Sequence, residues 1–301
     1  MRKVFVTGAE GFPGAALSRQ LVQRGFEVVA GVWNRSRKLQ LEKTGLKALV
    51  CDVSDAINVA RCIASVGPDA VIHLAGTNFD AESVAEPLQT YQATTSAWAN
   101  VLDAARRAVP RARLLMTSSA AVYGNASPSG SPINESSPLR PNTTFGSWMS
   151  AAESVAQTYF RDYHVDVMIA RPFGFVGPGQ PFDPALGFNV GSGDCCVDLL
   201  HVDDVAAAYV QLLDSGKPNE VYNVCCGQRT PMGELNSPAS SGGVKGPKPG
   251  ATAFGPILGL CGDKSKLSGL GWSPKYDKAA TIAAYQAATM QPVGKPAATA
   301  R

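Results

Sequence analysis

The sequence predicts a doubly wound α/β fold, a parallel sheet with helices on both faces. Three observations point there. Up to about residue 215, short apolar runs rich in β-branched residues alternate with stretches whose apolar residues recur every three to four positions. A glycine-rich turn follows directly on the first apolar run. The chain has 301 residues, 45% of them hydrophobic, enough to bury one large core or one core plus a lobe.

In chain order, "KVFVTG", "FEVVAGVW", "ALVCDV", "AVIHLAG", "RLLMTSS" and "VDVMIARP" read as strands. They are short, nearly continuous in apolar residues and bounded by turn residues, the pattern of strands buried on both faces. Between them "AALSRQLVQRG", "AINVARCIASVG", "TTSAWANVLDAARRAV" and "SWMSAAESVAQTYFRDY" each turn one apolar face toward the sheet. From about residue 236, "NSPASSGGVKGPKPGATAFGPILG" has neither helical nor strand periodicity, and a flexible loop is expected over 236–258. "GDKSKLSGLGW" and a helix-like "DKAATIAAYQAATM" follow, before a Pro/Gly/Ala tail over 291–301 that is expected to be disordered.

A net charge of +3 from 27 basic and 24 acidic residues leaves no basic run suited to nucleic acid or a membrane surface. The first apolar run is too short for a signal-peptide core or a membrane span, so a cytoplasmic protein is expected. Seven cysteines show no Cys-x-x-Cys pair and no metal-ligand spacing, so free thiols and no metal are expected.

"TGAEGFPG" places Gly8, Gly11 and Gly14 between a strand and a helix, within a βαβ unit. That context gives the spacing its meaning: bare backbone can approach a pyrophosphate, whose charge is met by the amides and positive end of the helix. After the second strand, where an acid would hold a ribose 2′-hydroxyl, "GVWNRSRK" offers Arg35 and Arg37 and no carboxylate. This leans to NADP, with NAD as the other possibility and a solvated basic turn as the plain alternative. Asp52, at the end of the third strand, is placed to accept from the adenine amino group or to cap the next helix.

Together "TGAEGFPG", "CDVSD", "VIHLAG", "MTSSAAVYG", "SSPLRP", "ARPFGFVGPGQ", "LLHVDDVAAAYV" and "EVYNVCCG" resemble the extended short-chain dehydrogenase/reductases, the NAD-dependent epimerase/dehydratase family. The flavour is nearest to GDP-mannose 4,6-dehydratases and GDP-6-deoxy-4-keto-mannose reductases. The resemblance covers about residues 1–235 and resumes at "GDKSKL". It implies a Rossmann-type NAD(P)-binding domain over 1–172 and a reduced, shortened substrate lobe over 173–290, interleaved with the core. It also assigns Phe12, Val53, Leu74, Ala75, Gly76, Thr117 and Pro172 to the cofactor's surroundings.

The family's hydride chemistry uses a Ser or Thr, a Tyr and a Lys. Ser119 falls on the Ser position, but Phe145 stands at the Tyr position and Met149 at the Lys position. No Tyr-x-x-x-Lys lies nearby to rescue the dyad. Gly174, Thr94 and Val197 replace further residues that usually anchor sugar and pyrophosphate. Glu153 and His201 are the local ionisable candidates for a substitute base, expected instead to be a helix-surface carboxylate and a packed or solvent-facing imidazole. The expectation is therefore dinucleotide binding without ordinary turnover. The alternative is an active nucleotide-sugar reductase, dehydratase or epimerase that uses Ser119 and a substitute proton donor. A nucleotide-sugar or smaller sugar-like ligand and, by analogy, a homodimer are the other expected partners.

Overall fold

Seven strands lie side by side, all parallel, in the order β3-β2-β1-β4-β5-β6-β9. They are β1 (Lys3–Thr7), β2 (Glu27–Val32), β3 (Lys47–Val50), β4 (Ala70–His73), β5 (Arg113–Thr117), β6 (Val167–Pro172) and β9 (Val221–Val224). The structure, a computed structural model, describes residues 2–74, 76, 85–124, 131–180, 196–235 and 259–290. The expected tail, the whole of the expected loop over 236–258, and Ala75 lie outside the described residues.

In register, Phe5 of β1 faces Val29 of β2 and Val71 of β4, all buried, as a strand covered on both sides requires. One face carries α1 (Phe12–Gln23) and α7 (Val202–Ser215), whose Leu17, Leu21, Val205 and Tyr209 join Val4 and Val6 in one apolar cluster. The other carries α3 (Ala56–Val66), α5 (Ala97–Ala108) and α6 (Thr144–Tyr163) around Phe5, Trp98, Leu102 and Leu114. α5 continues a shorter helix, α4 (Pro87–Tyr91), through a π-helical turn over Gln92–Ser96. The six described cysteines are unpaired thiols, and all but Cys226 are buried.

Two features lie beyond the sequence reading. The basic stretch after β2 opens a helix, α2 (Arg35–Glu42), capped by Asn34, whose Oδ1 accepts from Arg37 N at 2.9 Å. A second, three-stranded sheet joins β7 (Gly174–Val176), β8 (Cys196–His201) and β10 (Arg229–Pro231), with β8 central. α8 (Ser265–Ser268) packs near β9, and α9 (Lys278–Met290) lies against β8.

Candidate functional site

The sheet reverses its winding between β1 and β4: from β1 the chain proceeds outward through β2 and β3, then returns to β4 and on to β5 and β6. A crevice opens at such a point beyond the carboxyl ends of the strands. Gly8 turns the chain there with φ +70°, and Gly8 N and Ala9 N both donate to Gly31 O, at 3.0 and 3.4 Å. Gly11 then caps α1 with no side-chain cap bond among the described residues, and Pro13 lies in the first turn. A Cβ on Gly14 would stand 2.3 Å from Gly8 O and 2.7 Å from Ala9 Cα, so helix and turn can pack this closely only over a bare glycine. Helix N-terminal amides without a side-chain cap under a glycine turn fit a dinucleotide pyrophosphate. Phe12 stacks on Phe175 with ring centres 5.8 Å apart, tying this corner to β7.

Just past β2, Arg35 and Arg37 occupy the exposed first turn of α2, and Arg37 Nη1 donates to Gln40 Oε1 at 3.3 Å. The carboxylate that the end of β2 lacks comes from the glycine turn: Glu10 Oε1 accepts from Trp33 N at 2.6 Å. Asp52 accepts from Ser54 N and Oγ at 3.0 and 2.6 Å, while Asp55 rather than Asp52 caps α3. Val53 is buried in the core, and its carbonyl accepts from Asn100 Nδ2 at 3.0 Å. Leu74 N donates to Thr7 O at 3.2 Å, and Gly76 faces the π turn, its Cβ direction 3.5 Å from Ala93 O. Thr117 and Pro172 end β5 and β6. Below the crevice His73 is wholly buried with Nδ1 2.7 Å from Thr7 Oγ1, and burial pushes its pKa down to about 3.

Ser119 starts a 3-10 turn (Ala120–Tyr123) and its Oγ accepts from Ala121 N at 3.1 Å. The first turn of α6, capped by Thr143 Oγ1 accepting from Gly146 N at 3.1 Å, presses on this segment. A Cβ on Gly146 would lie 2.6 Å from Ala121 O. Phe145 and Met149, 8% and 4% exposed, belong to the same apolar cluster as Ala120, Ala121, Val122 and Tyr123.

Glu153 departs from expectation. It is 1% exposed, and its carboxylate is shared among Arg171 Nε (2.9 Å), Arg171 Nη2 (2.5 Å) and Ser118 Oγ (2.5 Å). Burial alone would lower the Arg171 pKa, but the bonds from Glu153 outweigh it and hold it above the usual value. Arg171 Nη1 also donates to Tyr123 Oη at 2.8 Å, and Tyr123 donates to Asn223 Oδ1 at 2.7 Å. Burial pushes the Tyr123 pKa up to about 12, partly offset by Arg171, so this phenol holds its proton. His201 is packed: it stacks on Tyr276 with ring centres 3.8 Å apart, and Nδ1 accepts from Asp203 N at 3.2 Å. Burial lowers its pKa as well.

The other unusual positions are absorbed into packing. A Cβ on Gly174 would stand 2.9 Å from both Asp198 O and Val197 Cγ2, and Thr94 Oγ1 donates to Thr90 O at 2.6 Å inside the helix. Sequence reasoning missed Glu10 and the burial of Glu153. The only linear signal for Glu10 was an acid inside the glycine turn.

The model of the "NAD dependent epimerase/dehydratase family" matches residues 4–225. GDP-6-deoxy-D-mannose reductase of Pseudomonas aeruginosa is 33% identical over 185 residues, 56% of this chain and 61% of the reductase. The chain thus spans less than two thirds of that relative's length. Two solved structures share the architecture over nearly the whole chain. The UDP-glucose 4-epimerase of Thermus thermophilus, in complex with NAD, superposes with a TM-score of 0.82 at 24% identity, covering 95% of this chain and 98% of that one. RMD from Pseudomonas aeruginosa, complexed with NADPH, gives 0.75 at 25% identity over 96% and 99%. Among the described residues no helix is long and apolar enough to cross a membrane.

Proposed function

Because this chain belongs to the NAD dependent epimerase/dehydratase family, we propose that it binds NAD(P) in the crevice beyond β1 and β4 without performing the family's ordinary hydride turnover. One observation carries the proposal. At the positions that the resemblance gives to the proton-handling tyrosine and lysine stand Phe145 and Met149, two apolar side chains buried beside the Ser119 turn. A phenyl ring has no exchangeable proton, and a thioether has no charge with which to acidify one. When bound, NAD(P) would supply or accept a hydride. The proton that must move with it has no donor in this pair, and such a group contributes ~10²–10⁴-fold to rate.

The chain's own residues would do the holding. The first-turn amides of α1 take the pyrophosphate, and the close contact at Gly14 shapes the turn around it. Arg35 and Arg37 favour a 2′-phosphate at the adenosine end, as NADP carries, and Glu10 opposes it. The reduced second lobe would take a nucleotide-sugar or a smaller sugar-like ligand, and a homodimer is proposed by analogy with the family alone.

A second reading is supported by Ser119. Its Oγ accepts from Ala121 N, which leaves the hydroxyl proton free to be donated. An active reductase, dehydratase or epimerase of altered mechanism would use that hydroxyl together with a proton donor brought by the substrate.

Thermal denaturation with NADH and with NADPH, paired with nicotinamide absorbance on 4-keto nucleotide-sugars, tests both. We expect a raised midpoint and no cofactor oxidation. Steady oxidation by the unmodified chain would replace the first reading with the second. No shift with either dinucleotide, in folded protein, would remove both. Phe145→Tyr with Met149→Lys gives oxidation only where the second lobe still holds the sugar.

A further inference from the structure

We infer that Glu10 sets the cofactor preference of this chain: its carboxylate accepts a hydroxyl of the adenosine ribose and rejects a 2′-phosphate, so NAD(H) binds in preference to NADP(H). The inference rests on the dinucleotide reading proposed above and gives it a direction opposite to the one that Arg35 and Arg37 alone suggest.

The linear sequence hides this carboxylate. "GVWNRSRK" has no acid, and Glu10 stands 23 residues before Trp33. The fold brings them together, because Gly8 N and Ala9 N both bind Gly31 O and so fasten the glycine turn to the carboxyl end of β2. Glu10 then reaches one step past that end, where Oε1 accepts from Trp33 N at 2.6 Å. In dinucleotide folds this is the place from which an acidic side chain holds the ribose.

The second oxygen points to the ligand. Glu10 Oε2 is buried and has no hydrogen-bond partner among the described residues. A buried carboxylate oxygen without a donor is a standing cost, which a donor supplied at that spot removes. A ribose hydroxyl is such a donor. A 2′-phosphate has no proton to give at neutral pH and adds like charge beside the carboxylate.

The basic residues do not reverse this. Arg35 and Arg37 are exposed, and the Arg37 guanidinium is turned along α2 toward Gln40. The Asn34 side chain is occupied by its cap. Solvated charges are screened by salt, whereas a half-buried carboxylate with one oxygen out of water is screened less.

Isothermal titration of the full chain with NAD⁺ and NADP⁺ tests the inference. We expect NAD⁺ to bind about tenfold more tightly or better, the scale of one hydrogen bond to a charged group. Glu10→Gln keeps the shape and the Trp33 contact and removes the charge, so the ratio should fall to within about threefold, with NADP⁺ gaining affinity. Arg35→Ala with Arg37→Ala should leave the NAD⁺ to NADP⁺ ratio within about threefold of that of the unmodified chain, and a larger rise in NAD⁺ preference would give the two arginines the deciding part and overturn the inference, a test that holds even where Glu10→Gln does not fold. Equal or tighter binding of NADP⁺ by the unmodified chain, or an unchanged ratio in folded Glu10→Gln, overturns the inference while dinucleotide binding stands. Failure of both cofactors to bind a cooperatively unfolding protein overturns the dinucleotide reading itself.

Discussion

Replacing Glu153 by Gln should cost more stability than almost any other single change in the chain. The substitution keeps size and one acceptor but removes the charge that Arg171 faces through two bonds, with both side chains almost wholly buried at 1% and 3% exposure. A guanidinium left there cannot neutralise itself and has no water to replace its partner. Breaking one side of such a pair costs ~3–5 kcal/mol. The Ser118 hydroxyl, 2.5 Å from the same carboxylate, loses a charged acceptor as well. Urea denaturation should therefore show a lowered midpoint with an unchanged slope, and the thermal midpoint should fall by about 10 °C. A double-mutant cycle with Arg171→Met separates pair from context. Arg171 also donates to Tyr123 Oη and to Glu135 O, so its removal has its own cost. Once the guanidinium is gone, however, Glu153→Gln should cost much less, giving a coupling of ~2 kcal/mol or more. A loss below ~1 kcal/mol for Glu153→Gln, or no coupling in the cycle, would refute the claim that this ion pair pins α6 to the ends of β5 and β6.

Gly14→Ala should destabilise by ~1–3 kcal/mol and abolish the thermal shift with either dinucleotide, since its Cβ would stand 2.3 Å from Gly8 O; an unchanged shift would show that the turn can open without losing the ligand. Met149→Lys puts an ammonium on a buried position and should cost ~2–4 kcal/mol in urea, while a loss below ~1 kcal/mol would mean the site still accommodates a cation. His73 gives a pH signature. Its folded pKa of about 3 lies below the unfolded 6.5, so its contribution is fully present above pH 6.5 and is lost as pH falls below that value. The loss is ~1.4 kcal/mol per unit, about 2 kcal/mol by pH 5, and a His73→Asn variant compared at pH 5 and pH 7 should lack that part of the slope.

The sheet and the glycine turn were legible because their signals are local: apolar runs with a fixed period, and glycines at a spacing that geometry enforces at Gly14. α2 was not, because none of its residues is buried and it has no apolar face to display, although Asn34 was in place to cap it. The three-stranded sheet escaped because β7 and β10 are only three residues long. Glu153 looked like a surface residue because its partner sits 18 positions away on β6, and a carboxylate on a helix reads as solvated until that partner is known. Asp52 was ambiguous for the opposite reason: it could face a ligand or cap α3, and only the folded turn gives the cap to Asp55.

The two halves of the site differ in what maintains them. The proposed grip on a pyrophosphate is made of backbone, and Gly14 is also what lets α1 pack on the turn at Gly8 and Ala9, so its loss would damage the fold with or without a ligand. The glycine turn alone therefore says little about whether a dinucleotide still binds. The side chains at 145 and 149 follow the reverse logic: as Phe and Met they add apolar burial worth ~1.5–3 kcal/mol each, where a lysine would need its charge satisfied. Stability alone can thus retain the first half and erase the second. By itself it gives no reason for Glu10 Oε2 to be a buried carboxylate oxygen without a donor among the described residues, although Oε1 of the same group accepts from Trp33 N. If the inference drawn for Glu10 holds, that oxygen is the feature that separates a chain still shaped for a ribose from a fold that has merely kept its turn.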